Sequence, residues 1–385
     1  MKKSLTLLSL IVSSVIITAG CGAIAQSVRN DLKQKAEAAQ PIVRPKLPPA
    51  EDVAVSSEPL NWKDDEFPAF SKAVYSLMKK RDFDGLDAMA SKFRNDKERF
   101  QIGGGWKIHS FYKLTSAPEI ASEDGWREHI KLLEDWKAAK PKSIAARASL
   151  GSAHGGHAWH ARGTGYANEI PPEAMTAVET RMQRAARELE DASNLEEKCY
   201  GLYEALLRFG RGAGVERSWF DKVFDEAVAY DPSYQYFYSE KAQYLMPRWY
   251  GRPGELEAFV DNLVVSKGAE DGSKLYYLII SDLYDYKQEK GNELFGPQSF
   301  SWKRTKKGFV QLEEDYGITR ARLNQFARMS LTGRDAQAQC NTFKRLQGEN
   351  DFDPGEWNNR EDFEMRKKLA LETICKIPAF GNALD

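Results

Sequence analysis

The sequence predicts an all-α protein built from antiparallel helix pairs. From residue 62 onward, apolar residues recur at three- and four-residue spacing, strand-like alternation is nearly absent, and the connections between helical runs are short. The chain has 385 residues, of which 42% are hydrophobic and 29% are charged. This length and composition suit one large globular domain or two average ones.

The charge balance excludes one broad class of function. There are 55 Lys and Arg residues against 56 Asp and Glu residues, which gives a net charge of -1. General nucleic-acid binders need a clear excess of basic residues, because their affinity comes from neutralising phosphates. We therefore expect no nucleic-acid partner.

Residues 1–20 have the features of a lipoprotein-type signal peptide. Lys2 and Lys3 precede an uncharged apolar run over residues 4–20, and small residues come directly before Cys21. This arrangement resembles the lipobox at which bacterial lipoproteins are cut and acylated, although Thr18 departs from the usual pattern. A plain signal peptide cut nearby and an uncleaved anchor helix are the alternatives. Cleavage before Cys21 removes two lysines and leaves a net charge of -3 (53 positive against 56 negative residues).

Acylation of Cys21 would hold the protein on a membrane without a transmembrane helix. Gly22 stands where inner-membrane retention signals usually have Asp, so we expect an exported, membrane-anchored and periplasm-facing protein, on the outer membrane if the cell is Gram-negative. Residues 21–60 then predict a mobile, lipid-anchored tether. Five prolines lie between Pro41 and Pro59, and no tryptophan precedes Trp62.

A helical domain is expected over residues 61–385. The best example is the run from 171 to 195, where apolar residues follow a helical period and Pro171, Pro172 and Glu173 stand at the expected start. The other predicted helices span about 68–80, 83–95, 124–139, 197–210, 217–230, 233–246, 254–266, 273–289, 301–315, 320–331, 335–347 and 360–376.

Several of these runs resemble degenerate tetratricopeptide repeats. The segment from Gly333 to Leu346 opens on Gly-Arg-Asp and places small and aromatic residues inward, and segments beginning at Asp231 and Asp82 have similar patterns. The resemblance implies an irregular tetratricopeptide-like α-solenoid, because the spacing departs from a strict repeat. A non-repeating helical bundle is the alternative.

Two blocks carry a more specific resemblance. Residues 159–167 read WHARGTGYA, and residues 245–255 read LMPRWYGRPGE. Both blocks resemble the bacterial family called domain of unknown function 4034, over about residues 70–350. This resemblance implies a tetratricopeptide-like helical domain and no established activity, and it assigns no catalytic or binding residue.

The densest group of candidate site residues is a histidine cluster. His154, His157 and His160 are three of only five histidines, and they lie within seven residues. Three-residue steps on a helix let neighbouring histidines chelate a metal but hinder convergence of all three, and Gly155 and Gly156 weaken a helix here. These histidines are weak metal candidates, and packing or capping roles are the alternative.

Other residues could form a binding surface. An arginine fork can hold a carboxylate or phosphate, and an aromatic neighbour can stack on it. Structural arginines that join neighbouring helices are the alternative. The candidate surface residues are His157, Trp159, His160, Arg162, Tyr166, Arg248 and Trp249.

The cysteines indicate location rather than catalysis. An exported protein meets oxidising conditions, so Cys340 and Cys375 are a candidate disulfide, whereas Cys199 should be a small buried residue. No Gly-x-Ser-x-Gly or Cys-x-x-Cys motif is present.

Two functions remain open at this point. The preferred one is a lipid-anchored envelope scaffold whose helical domain binds a protein or peptide partner, without catalysis and without a cofactor. The alternative is a metal-binding or enzymatic site centred on His154, His157, His160 and Arg162.

Overall fold

The all-α prediction is confirmed. The computed structural model describes residues 41–60, 66–163, 170–288, 294–348 and 351–377, and within these ranges it contains α-helices and no β-strand. The helices are α1 Phe67–Lys80, α2 Phe83–Asp96, α3 Lys107–Thr115, α4 Glu123–Ala139, α5 Ile144–Arg162, α6 Pro172–Ser193, α7 Tyr200–Ala213, α8 Arg217–Tyr230, α9 Gln235–Tyr244, α10 Glu255–Lys267, α11 Ala269–Gln288, α12 Trp302–Tyr316, α13 Arg320–Thr332, α14 Ala336–Arg345 and α15 Arg360–Glu372.

These helices belong to two compact units. Unit 1 contains Phe67–Arg99 and Gly105–Tyr244, and therefore α1 to α9. Unit 2 contains residues 41–60 and 66, Phe100–Gly104 and the described residues from 245 onward, and therefore α10 to α15. Within each unit, helices that follow one another in the chain form most of the packed pairs, as expected for a solenoid-like arrangement.

Each unit has an aromatic core. In unit 1, Trp106 packs against Tyr200 and Tyr234, and its indole N–H donates to Gln235 Oε1 at 3.1 Å. In unit 2, the rings of Phe309 and Phe326 stack at 3.7 Å. Burial of such rings is the main source of stability in a helical protein of this kind.

Two helices, α3 and α5, lie outside the predicted runs. Helix α5 is the larger surprise, because Gly155 and Gly156 lie in its interior. It packs closely on α6, and a Cβ added to Gly151 would lie 2.6 Å from Leu189 Cδ2. Small residues are needed where neighbouring side chains approach this closely, so Gly151 and Gly156 serve packing, whereas a Cβ on Gly155 would meet open space.

Residues 41–60 correct the prediction of a mobile tether. They are non-helical, as their prolines require, but they lie against unit 2, where the Val55 side chain is only 3% exposed. The prediction failed because it took the lack of aromatic residues as a lack of attachment, whereas main-chain carbonyls and charged side chains provide it. Residues 21–40 of the predicted tether lie outside the described residues.

The cysteines in the described residues have two different environments. Cys340 in α14 and Cys375 in the short 3-10 turn after α15 form a disulfide with a Cα–Cα distance of 5.1 Å, which is the pairing suggested by the sequence. Cys199 is buried, and burial raises the pKa of its thiol to about 11. Cys21 lies outside the described residues.

Candidate functional site

The predicted histidine cluster occupies the second half of α5, and its three side chains have different surroundings. His154 is buried, and its Nδ1 atom has no hydrogen-bond partner. Burial, supported by the nearby positive charge of Arg184, lowers the pKa of His154 to about 4, so the ring is neutral at pH 7. His160 is exposed, with its ring tilted 44° to that of Trp126.

His157 belongs to a small polar group at the surface of unit 1. Its Nε2 atom lies 3.1 Å from Glu123 Oε1, its carbonyl oxygen accepts a hydrogen bond from Arg181, and its ring stacks on Trp126. Arg181 also donates to Glu123 at 2.7 Å. Burial lowers the pKa of His157, and the hydrogen bond to Glu123 opposes that shift. These contacts join α4, α5 and α6, which is a structural role.

The described residues contain no group of three or more His, Cys, Asp or Glu side chains placed to hold a metal ion. In particular, the geometry does not bring His154, His157 and His160 together. The metal-binding or enzymatic alternative centred on them stays a prediction.

The other predicted surface residues fall in both units. At the end of α5, Trp159 is 37% exposed and the Arg162 guanidinium lies 5.1 Å from its ring centroid. Arg248 is exposed and Trp249 is half-buried, but both belong to unit 2. Tyr166 lies outside the described residues. The structure thus places Trp159 and Arg162 in unit 1 and Arg248 and Trp249 in unit 2.

A buried charged cluster in unit 1 escaped the sequence analysis. Glu204 accepts hydrogen bonds from Arg208 and Tyr234, and it lies 3.0 Å from His109 Nδ1. Burial alone would raise the pKa of Glu204, but His109, Arg208 and Tyr234 lower it to about 2. Arg208 also donates to the buried Glu240 at 2.6 Å. Arg211 also donates to Glu240 at 3.2 Å, so two arginines pair with two carboxylates on α7 and α9, which indicates a structural network.

The most distinctive polar arrangement lies in unit 2, where it holds residues 41–60. It starts from Asp335, which is the residue before α14 and caps that helix by accepting from the Ala338 N–H at 2.9 Å. The other Asp335 oxygen accepts from Trp302 Nε1 at 2.8 Å and from Lys306 Nζ at 2.7 Å. Asp335 is fully buried and Lys306 is 3% exposed, so α12 presents a buried cation held by a buried anion.

Lys306 also binds the extended segment. Its Nζ atom lies 2.5 Å from Asp52 Oδ1, so one buried ammonium group contacts a carboxylate of unit 2 and a carboxylate of the segment. Next to it, Lys307 donates to Glu51 at 3.1 Å in a much more exposed pair. Lys306 is buried and Asp52 is 45% exposed in the first pair, and both partners are more exposed in the second.

Three further side chains hold main-chain carbonyl oxygens of the segment. Arg304 donates to the Pro48 carbonyl at 2.6 Å, Asn341 donates to the Val55 carbonyl at 2.7 Å, and Arg345 donates to the Glu58 carbonyl at 3.1 Å. At the other end, Arg44 of the segment donates to Asp261 at 2.7 Å. All these partners lie on alternate helices, α10, α12 and α14. We call them the segment face: Asp261, Arg304, Lys306, Lys307, Asn341 and Arg345.

The segment face suits recognition of an extended polypeptide. Hydrogen bonds to carbonyl oxygens read an extended backbone whatever its sequence, whereas a buried cation and an apolar contact select particular side chains. The one sequence signal for this face was the basic run from Lys303 to Lys307 on a helix that also has apolar core positions. Nothing in the sequence indicates that this run contacts residues 48–52, which lie about 250 positions earlier.

None of the described helices combines the length and the apolar character needed to span a bilayer. In comparisons with known proteins, no protein-family model, curated protein or solved structure matches this chain. The resemblance to domain of unknown function 4034 therefore stays a prediction.

Proposed function

We propose that this protein is a lipid-anchored envelope scaffold whose unit 2 binds extended peptide segments. The observation that carries the proposal is the set of three hydrogen bonds from Arg304, Asn341 and Arg345 to main-chain carbonyls of residues 41–60. The contact between the buried Lys306 and the Asp52 carboxylate adds a side-chain-specific interaction. A helical array that presents such donors from alternate helices is a general solution for peptide binding.

Retention of the segment after the chain is cut tests peptide binding directly. A protease site placed within residues 61–65 of the full chain would separate the N-terminal fragment from the helices, and we expect the fragment to co-elute with them. Asp52→Asn combined with Val55→Ala should release it. Glu51→Gln is the matched control, since it makes the same kind of change at an exposed ion pair. Immediate loss of the wild-type fragment would show that the face does not bind it.

Membrane anchoring needs its own experiment. Acylation of Cys21 predicts that the mature protein fractionates with membranes and carries lipid mass on its N-terminal peptide. Cys21→Ser should move it to the non-membrane fraction. Membrane association that persists in Cys21→Ser, without lipid on the wild-type peptide, would refute the anchor while leaving peptide binding untouched.

A further inference from the structure

We propose that the segment face is a receptor for an extended acidic peptide of a partner protein, and that residues 41–60 occupy it as an internal competitor. The inference rests on the proposed function, because it requires a face that binds peptides. It adds the chemistry of the partner, which is an acidic residue followed three positions later by a small apolar residue. It also adds a regulatory rule: the partner binds only by displacing the chain's own segment.

The way in which the segment is held suggests that it can be removed. Of residues 41–60, Val55 alone is buried, and most of the others are exposed or half-buried. A segment that formed part of the hydrophobic core would bury several apolar side chains. Here the attachment is mostly polar and shallow, whereas the prolines keep the segment extended and lower the entropy lost when it binds.

Two buried cations of the segment face keep their counter-ions when the segment leaves, whereas the buried Asp261 loses its ion pair with Arg44. Lys306 retains Asp335 at 2.7 Å, and Arg345 retains Glu313 with an Nη1–Oε2 distance of 3.1 Å. Loss of Asp52 and the Glu58 carbonyl therefore strands neither cation. The face can exist in an occupied and an open state, which is the condition for exchange of one peptide for another.

The contacts also define what the partner must offer. The carbonyl contacts at Pro48, Val55 and Glu58 accept any extended backbone, so they add affinity without selectivity. Selectivity comes from Asp52 at the buried Lys306 and from Val55 in its apolar site. A partner with this acid-x-x-apolar spacing would reproduce both interactions at once.

Covalent connection gives the internal segment a large advantage. A short connection supplies an effective concentration on the order of 1 mM. A partner peptide of equal intrinsic affinity at about 10 μM would then occupy only about 1% of the face. Weakening the internal segment about 100-fold would raise that occupancy to about half, so the competitor sets the threshold for binding.

The test uses the full, uncut chain and a fluorescent synthetic peptide with the sequence of residues 44–58 as the probe. We expect the apparent affinity of the probe, measured by anisotropy, to rise 10- to 100-fold in the chain carrying Asp52→Asn and Val55→Ala. The Glu51→Gln chain should stay within twofold of wild type. A probe that carries the same two substitutions should not bind.

Three results would overturn the proposal. The first is that the probe fails to bind the double variant although amide hydrogen exchange shows that residues 44–58 are released. That result would show that the open face does not accept a separate peptide. Unchanged exchange in the double variant would show that Asp52 and Val55 do not hold the segment. A dimer that forms as the segment is released would assign the face to a second copy. In each case, retention of the cut wild-type fragment still reports separately on the proposed function.

Discussion

Replacement of Lys306 by Met provides a direct test of the buried charge arrangement in unit 2. Lys306→Met keeps the length and most of the volume of the side chain and removes the ammonium group that contacts Asp335 and Asp52. Asp335 then remains fully buried with two N–H donors, from Trp302 and Ala338, and without a counter-charge.

The expected effect is a large loss of stability. Removal of one partner from a buried ion pair typically costs about 3–5 kcal/mol, and the two remaining donors place this case near 3 kcal/mol. Lys307→Met is the matched control on the same helix. Its pair with Glu51 is exposed, and such pairs contribute about 0–1 kcal/mol.

Urea unfolding, monitored by tryptophan fluorescence, measures the difference in stability between the two variants. Amide hydrogen exchange in α14 reports on unit 2 alone. At about 2–3 kcal/mol per molar urea, a loss of 3 kcal/mol lowers the midpoint by roughly 1–1.5 M. A second change, Asp335→Asn, removes the buried charge, but its amide NH2 group must face one of the two N–H donors, so it should restore only part of the loss. Equal midpoints for Lys306→Met and Lys307→Met would refute the reasoning that burial makes the Lys306 contacts matter.

Three further predictions concern other parts of the chain. In α5, Gly155→Ala should stabilise unit 1 by about 0.5–1 kcal/mol, because the added Cβ meets open space. Gly156→Ala should destabilise unit 1 by about 1–3 kcal/mol, because its Cβ would lie 2.6 Å from the Trp126 ring. The two variants should therefore shift the thermal unfolding midpoint in opposite directions. The free energy of unfolding should fall as the pH drops from 6.5 to about 4, because the folded state resists protonation of His154 and the unfolded state does not. In urea titrations at each pH, His154→Leu should abolish the part of this pH dependence that comes from His154. Cys340→Ser should lower the free energy of unfolding by about 3–4 kcal/mol, because it removes the covalent closure of a 35-residue loop. When the wild-type chain is alkylated without reductant, mass spectrometry should find Cys340 and Cys375 unmodified, and modification of either cysteine would contradict the disulfide.

Local sequence patterns were sufficient for most helices and insufficient for α5. Helices with one apolar stripe, such as α6, reveal themselves through periodicity, and their starts follow from residues such as Pro172. Helix α5 buries residues on several sides, so no single stripe marks it. Its glycines lower helix propensity, yet close packing against Leu189 and Trp126 overrides that preference.

The candidate site depends on contacts that local patterns cannot encode. The disulfide could be proposed because exported cysteines tend to pair and two lay near the C-terminus. The segment face could not, since Lys306 and Asp52 are ordinary charged residues until folding brings them together. The histidine cluster shows the reverse case: His154, His157 and His160 are close in sequence, but their side chains do not converge on one site.

The large sequence separation between residues 41–60 and their partners also orders the events of synthesis. Pro48 precedes Arg304 by 256 residues, and Glu58 precedes Arg345 by 287. At about 5–20 residues per second, roughly 15–60 s pass between the appearance of the segment and that of its last partner. The segment must therefore dock last, after α10 to α14 exist. Because the segment is made first, the internal competitor is already present when its face forms, and a partner meets it from the start.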